Sequence, residues 1–412
     1  MRGLDRNLSM LFALNLAVSL SSQLIQPLFP LYLESLGASE VENGLVIALA
    51  SVAATVLMLP SGVLIDRLGK KRMLLIGVAL AAFPPVFISV IEDWRMVVPF
   101  AMVFSSSFSF FVPARMAMIA ESATPENRAT LFGLMNIAWP VGGIVSPVLG
   151  GYVVEKFGWG SSFLAAAAIN AVSLIPTMLL KEKKTTGGEA LEERESYTFF
   201  DRRYLSTMVL FFMLHLFITT GMGGVSMILP LSLKARFQLS YHLIGLFFTG
   251  SSLLMLLTQI PSGVLADRYG RKRLIVACIA VIPVLYGVWP FIENWVALLV
   301  LHSVAVGLWS MTWPATLALL SDSVPPEMLG TAFGVRMTGV RLGFTIGPIL
   351  AASLYSTHGS GAPFIAAALF YFLGIPLSLL LKDNHRKAKG EGSTQVDKGH
   401  PTGEPSPPVD ST

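Results

Sequence analysis

The side chains of this chain that could bind a ligand or carry a proton are the few ionisable residues inside its long apolar segments. Arg341 is the deepest of them, about twelve residues into a segment that begins near Leu329. At ~1.5 Å per helical residue it would lie roughly 18 Å along a helix. At the centre of a bilayer such a charge costs at least ~2.5 kcal/mol to insert. We therefore expect Arg341 to face a central cavity and contact substrate; a structural pair with a polar residue is the alternative.

Two further arginines and two histidines lie in similar segments. Arg336 is only about seven residues deep, so its side chain is expected to reach back to the cytoplasmic surface. Arg115 is expected to do the same, or to pair with Glu121. Each histidine is either a hydrogen-bonded packing residue or a proton carrier, because imidazole titrates near neutral pH. The remaining candidates for substrate contact or coupling are polar or aromatic residues of the same segments: His215, His302, Asn15, Gln26, Asn136 and Trp139.

The segments that hold these residues are typical of a membrane protein. The chain has 412 residues, 53% of them hydrophobic and only 13% charged, with a mean hydropathy of +0.66, whereas soluble proteins carry about 25% charged residues. Runs of roughly 20 uncharged residues, the length that crosses the hydrocarbon core, predict twelve transmembrane helices in an all-α fold. They form one half at 1–180 and another at 204–382, with a cytoplasmic linker at 181–203 and a disordered cytoplasmic tail at 383–412.

The basic residues indicate how these helices are oriented. Most of the 29 Lys and Arg residues fall in the termini and in loops that would share one side of the membrane. The loops on the other side carry only Arg95, Lys156, Lys234 and Arg236. The positive-inside rule then places both termini in the cytoplasm and the chain in the plasma membrane as a multi-pass protein. Since the basic charge already has this explanation, it does not indicate a nucleic-acid partner.

One phrase occurs twice at the end of an apolar run. Residues 62–71 read GVLIDRLGKK and residues 263–272 read GVLADRYGRK, 201 positions apart. Further prolines and glycines match at the same offset across the two halves. Two similar halves that meet at a central axis are typical of a transporter, and we expect the protein to work as a monomer.

The repeated phrase resembles the signature loop of the major facilitator superfamily. The resemblance implies two six-helix halves whose loops close the cytoplasmic side during transport. The glycine of the phrase permits close helix approach, and the aspartate can place its charge at a helix N-terminus. The gating motif and the residues expected to act with it are Gly62, Asp66, Arg67, Gly69, Lys70, Lys71, Arg72, Glu121 and Arg128 in the first half, and Gly263, Asp267, Arg268, Gly270, Arg271, Lys272, Arg273 and Asp322 in the second.

Two ion pairs are expected at these loops. Glu121 could pair with Arg67, and Asp322 with Arg268, so that breaking the pairs opens the cytoplasmic side. Glu121 and Arg128 also form an E-x6-R pattern that resembles a motif of the sugar-porter branch.

A second pattern lies in the fifth helix and resembles the antiporter motif of proton-coupled drug exporters. It comprises Gly133, Gly142, Ser146, Pro147, Gly150 and Gly151, with Ser146 in place of one glycine. A generic close-packing helix pair is the alternative reading. The family's helix-four arginine would fall at Ala101, which weakens the standard drug–proton mechanism.

These observations predict a secondary transporter that works by alternating access. One reading is proton-coupled export of amphipathic or drug-like compounds; the alternative is transport or exchange of small organic anions through Arg341. No Asp or Glu lies at mid-depth, which favours the anion reading. A membrane-embedded enzyme is a remote alternative, because only the repeated loop forms a dense polar cluster. The chain has one cysteine, Cys278, and no metal-ligand spacing, so neither a cofactor nor a metal is expected.

Overall fold

The fold is a bundle of long helices. The computed structural model describes residues 6–122, 128–182, 202–325 and 328–382. In these residues eleven helices are long and apolar enough to cross a membrane. The predicted linker (181–203) and tail (383–412) lie outside the described residues, except for 181–182, 202–203 and 382.

The helices follow the apolar runs of the sequence, and the longest of them is broken. Arg128–Leu179 contains Gly158 at φ 80°, ψ 170°, a left-handed conformation that glycine adopts at little cost. Counting its two parts separately gives twelve segments: α1 Arg6–Ser35, with a 3-10 turn at Gln26–Leu28, α2 Glu40–Leu68, α3 Lys70–Ile88, α4 Trp94–Ser122, α5 128–157, α6 159–179, α7 Arg202–Phe237, α8 Tyr241–Tyr269, α9 Arg271–Gly287, α10 Trp295–Ser321, α11 Leu329–His358 and α12 Ala362–Leu380.

Sharp turns join α2 to α3 and α8 to α9. Gly69 has φ 89° and Gly270 has φ 97°, so a single residue reverses the chain at each place. A Cβ at Gly69 would also lie 3.0 Å from the carboxylate oxygens of Glu182. The end of the bundle that carries these two loops is called the motif end below, and the opposite end the far end.

The two halves pack in the same way. Helix α1 packs on α5 and α2 on α4 in the first half, as α7 packs on α11 and α8 on α10 in the second. Between the halves α2 packs on α11 and α5 on α8. Since α2 corresponds to α8 and α5 to α11, a pseudo-two-fold axis relates these two contacts to each other.

Helices α2 and α11 contact each other closely at the far end. A Cβ added to Gly44 would lie 2.8 Å from the carbonyl oxygen of Pro348, so only glycine fits there. Towards the motif end, two turns along α2 and one turn along α11, Thr345 Oγ1 donates a hydrogen bond to Ser51 Oγ at 3.0 Å. The halves therefore touch through backbone on this side.

The same closeness is found between α5 and α8. A Cβ on Gly245 would lie 2.6 Å from the carbonyl carbon of Pro147. Where these helices reach the far end, the Glu155 carboxylate accepts hydrogen bonds from the His242 backbone N–H at 3.3 Å and from Nδ1 at 2.6 Å. The far end is thus closed by two backbone contacts and a polar pair.

The glycines near the motif end lie in open space, unlike those at the far end. Five glycines near the motif end have no atom of the described residues within 4 Å of an added Cβ: Gly62, Gly133, Gly263, Gly330 and Gly334. Gly62 on α2 therefore does not approach a neighbouring helix here, contrary to the close approach expected from the sequence.

Candidate functional site

A cavity of about 490 Å³ lies between the two halves. The first half supplies most of its wall, from α1 to α6, and the second half contributes residues of α7 and α11 only. Six aromatic side chains dominate the lining: Phe29, Phe104, Phe108, Trp139, Phe163 and Phe344. Such a wall suits a compound with a large apolar or aromatic body.

The polar part of the lining is small. It consists of Gln26, Ser51, Ser105, Ser226 and the guanidinium of Arg341. No Asp, Glu or His lies among the lining residues in the described part of the chain. The cavity therefore carries one cation and no side chain that would neutralise it.

Arg341 faces the cavity because the other side of α11 is packed on α7. A Cβ on Gly339 would lie 3.2 Å from the Phe212 carbonyl carbon, and one on Gly343 would lie 2.7 Å from the backbone nitrogen of Thr220. Nothing in the described residues hydrogen-bonds or forms an ion pair with the half-buried Arg341 guanidinium. An unpaired guanidinium in an apolar wall is a ready partner for an anion.

Arg336 does not reach the cytoplasmic surface, so that prediction was wrong. Its side chain is 0% exposed. Nε donates to His215 Nε2 at 2.9 Å, Nη2 donates to Thr316 Oγ1 at 3.3 Å, and the guanidinium lies 4.3 Å from the Trp313 ring centroid. These partners on α7 and α10 satisfy the charge inside the second half, away from the cavity.

The partners of His215 fix its proton on one nitrogen. Nδ1 lies 2.8 Å from the carbonyl oxygen of Phe211, which can only accept, so Nδ1 carries the hydrogen and Nε2 accepts from Arg336. His302 is also buried, packed edge-on against Trp289 with its Nδ1 unpaired. Neither histidine lines the cavity.

Arg115 lies in the first half and makes a different contact from the two expected. Nη1 donates to Asn15 Oδ1 at 2.7 Å, while Asn15 in turn donates its amide N–H to the carbonyl oxygen of Met135. Arg115 thus neither reaches the surface nor pairs with Glu121. Asn15 is buried in this cluster and Asn136 is exposed; of the polar candidates only Gln26 lines the cavity, together with Trp139.

The carboxylates at the motif end pair with a different basic residue from the one expected. Glu121 binds Lys70, and Asp322 binds Arg271. In each pair, the first residue of the helix after the turn glycine (α3 or α9) binds a carboxylate at the motif end of the following helix (α4 or α10). They replace the predicted pairs with Arg67 and Arg268, whose side chains are exposed.

The rest of the motif lies around these pairs. The Lys70 backbone N–H donates to Glu182 Oε1 at 2.7 Å, and Lys71 Nζ donates to the Met178 carbonyl oxygen at 2.6 Å. Arg72 and Arg273 are exposed, and Lys272 is half-buried. The side chains of Asp66, Asp267 and Arg128 lie outside the described part of the chain.

Apart from Gly133, the glycines of the α5 pattern pack on two helices. Gly142 and Gly150 face α1: an added Cβ would lie 2.9 Å from Ser19 Cβ and 3.2 Å from the Leu24 carbonyl carbon. Gly151 instead faces α8, 2.6 Å from His242 Cα. Ser146, beside Pro147, is buried in the same helix. The pattern serves close packing inside the first half and between the halves.

Two pseudo-symmetric helix bundles around a central polar-and-aromatic cavity define a membrane transporter. The comparisons with known proteins agree. The chain matches the Major Facilitator Superfamily over residues 11–231 and 211–408, so it belongs to that family. The resemblance and the fold class inferred from the sequence are confirmed, and the protein is a transporter and not an enzyme.

Several relatives share the fold. An uncharacterized MFS-type transporter MJ1560 of Methanocaldococcus jannaschii is 24% identical over 89% of this chain and 96% of its own length. The quinolone resistance protein NorA of Staphylococcus aureus is 24% identical over 88% of this chain and 93% of its own. The crystal structure of the human organic anion transporter MFSD10 (TETRAN) superposes with a TM-score of 0.68 at 18% identity, covering 90% of this chain and 99% of that one.

Proposed function

We propose that the protein is a monomeric secondary transporter of the plasma membrane that moves amphipathic aromatic compounds bearing a negative group. The observation that carries this proposal is the composition of the cavity, an aromatic wall with Arg341 as its one unpaired cation. The apolar body of the substrate would pack on the aromatic side chains. Its anionic group would bind the guanidinium.

Charge decides between an anion and a cation at this site. A hydrogen bond that involves a charged partner contributes about 1.5–3 kcal/mol, and it also relieves the cost of an unpaired charge in an apolar wall. A cationic substrate would be repelled by Arg341 and would find no carboxylate among the lining residues of the described chain. The cavity therefore favours the anion.

The division of the wall between the halves supports alternating access. Most aromatic residues belong to the first half, and Arg341 belongs to the second. A bound amphipathic anion would contact both halves, so its binding would favour the conformational change in which the halves rotate towards each other around the cavity. The repeated loops would then meet at the motif end, where Gly62 and Gly334 have free space.

The second candidate is proton-coupled export of drug-like compounds. It is supported by the similarity to NorA, which is a quinolone resistance protein, and by the antiporter-like glycines of α5. The composition of the cavity lining supports it less, because coupling would have to use carboxylates or histidines outside that lining.

Two dyes with the same ring system separate these candidates. Purified protein is reconstituted in liposomes, and the movement of fluorescein, an anion, is compared with that of rhodamine 123, a cation, with and without a pH gradient. We expect fluorescein transport to be faster, and Arg341→Gln to lower it at least ten-fold. Arg341→Lys, which keeps the charge, should retain part of it.

The opposite pattern would contradict the anion proposal. If rhodamine 123 moves with protons and Arg341→Gln changes neither dye, Arg341 has a structural role and the drug-export candidate stands.

A further inference from the structure

Arg115 is a second buried arginine whose hydrogen-bonding capacity is only partly used. Its side chain is 9% exposed and lies in α4, within the first half. Nη1 donates to Asn15, but Nε is buried and has no hydrogen-bond partner among the residues that the structure describes. The nearest ring, that of Phe111, is 6.0 Å from the guanidinium carbon, too distant to replace a hydrogen bond.

The second half contains the same cluster in a completed form. Asn15 corresponds to His215 at an offset of 200, and Arg115 corresponds to Thr316 at the usual offset of 201. The position of Met135 corresponds to Arg336 at the same offset. Both halves thus place one arginine at the same junction of three helices, although it comes from the fourth helix in one half and the fifth in the other.

Arg336 and Arg115 differ in how far their N–H groups are hydrogen-bonded. Arg336 has two side-chain hydrogen bonds to other helices and a close tryptophan ring, and it is fully buried. Arg115 has one hydrogen bond and a buried unpaired N–H. A buried donor without a partner keeps the full cost of its removal from water, so the first half lacks a partner that the second half contains.

Arg115 lies just beyond two cavity-lining residues of its own helix. Phe108 and Val112 line the cavity, and Arg115 follows them at the seven- and three-residue spacings that share one helix face. It lies about 4.5 Å beyond Val112 along the axis, towards the motif end. On the neighbouring helix α5, Trp139 lines the cavity and Met135, one turn nearer the motif end, belongs to the cluster.

Arg341 and Arg115 lie at different depths in the bundle. Arg341 is about 18 Å from the motif-end start of α11, and Arg115 is about 10 Å from the motif-end terminus of α4, at ~1.5 Å per residue. One carboxylate cannot contact both at once across a difference of roughly 8 Å. A substrate that moves towards the motif end would pass from the first to the second.

We propose that Arg115, positioned by Asn15, is a second anion-binding group on this path. It binds the carboxylate, sulfonate or phosphate of the substrate after that group leaves Arg341. The planar guanidinium presents Nε and the remaining terminal nitrogen on one edge, which suits such oxygens. This proposal rests on the proposed function, because the substrate must be an anion.

Equilibrium binding of fluorescein, followed by its polarisation with detergent-purified full-length protein, tests the proposal. Arg341→Gln should weaken binding at least ten-fold and leave a residual, weaker binding. Adding Arg115→Gln to this variant should abolish the residual binding. In liposomes Arg115→Gln alone should lower the maximal rate of fluorescein transport at least ten-fold, and Arg115→Lys should restore part of it.

Arg336→Gln is the matched control for a purely structural arginine. It should lower the thermal unfolding midpoint and leave the residual fluorescein binding of Arg341→Gln unchanged. If Arg115→Gln behaves in the same way, and Arg115→Lys is no better, the proposal is overturned while the anion proposal for Arg341 survives. Wild-type protein that binds no fluorescein would overturn both.

Discussion

The far end of the transporter is closed by backbone contacts at glycines, so adding one methyl group should open it. Gly44 packs on Pro348 and Gly245 on Pro147, each against backbone atoms of the other half. A Cβ on Gly44 would lie 2.8 Å from the Pro348 carbonyl oxygen, about 0.6 Å closer than the 3.4 Å at which ordinary contact begins, and a Cβ on Gly245 would lie closer still to the Pro147 carbonyl oxygen. Because backbone cannot rotate away, the halves must separate in Gly44→Ala or Gly245→Ala.

The size of the effect follows from this overlap. Inserting a methyl group into a packed interface costs about 1–3 kcal/mol, which shifts an equilibrium roughly 5- to 150-fold. The Glu155–His242 pair at the same end has side chains that are 23% and 44% exposed, respectively. A pair of that exposure contributes about 0–1 kcal/mol. The glycines should therefore matter more, and Glu155→Gln should shift the equilibrium less than about five-fold.

Thiol labelling measures the opening directly. Cys278, the single cysteine, is changed to serine, and Ser226→Cys places a reporter in the cavity wall. A membrane-impermeant maleimide is then added from the far-end side of oriented vesicles. Both alanine variants should raise the labelling rate at least five-fold.

Gly287→Ala provides the control, since its Cβ would meet only Ala368 Cβ at 3.9 Å. It should label at the rate of the parent. Unchanged labelling in both Gly44→Ala and Gly245→Ala, with folded protein, would refute the view that these contacts close the far end.

Two further predictions concern the second half and the motif end. Arg336→Gln should destabilise the protein by about 1–3 kcal/mol, because it leaves the Nε2 acceptor of His215 unpaired; a fluorescence-monitored thermal unfolding midpoint no lower than that of Arg341→Gln would contradict this. Gly62→Leu should leave membrane insertion and fluorescein binding intact, since the site is in open space, but should impair transport by preventing closure of the motif end; normal transport rates in liposomes would contradict a gating role.

The bundle itself was predictable because its causes are local. Each apolar run is long enough to cross the hydrocarbon core, and the 201-residue repeat between Gly62 and Gly263 requires two similar halves. The position of Arg341 followed from helical periodicity alone, because the glycine stripe on the other face of α11 had to pack on a neighbour.

Partners on other helices were not predictable in the same way. Depth along α11 suggested that Arg336 reaches the surface, but depth does not reveal that α7 presents His215 and α10 presents Thr316 to it. The choice of Lys70 over Arg67 by Glu121 depends on a left-handed turn at Gly69, which rotates the chain after the aspartate–arginine pair. The free space at Gly62 belongs to one conformation, and the sequence does not indicate which conformation is adopted.

The chain order of the arginine clusters bears on how the protein enters the membrane. Synthesis delivers helices from the N-terminus onwards. Asn15 is inserted before Arg115, and His215, Trp313 and Thr316 are all inserted before Arg336. Each arginine therefore arrives when its partners on the earlier helices are already present, which spares it exposure to lipid. Among the described residues, the hydrogen-bond and ring partners of each arginine belong to its own half, so neither cluster has to wait for synthesis of the other half.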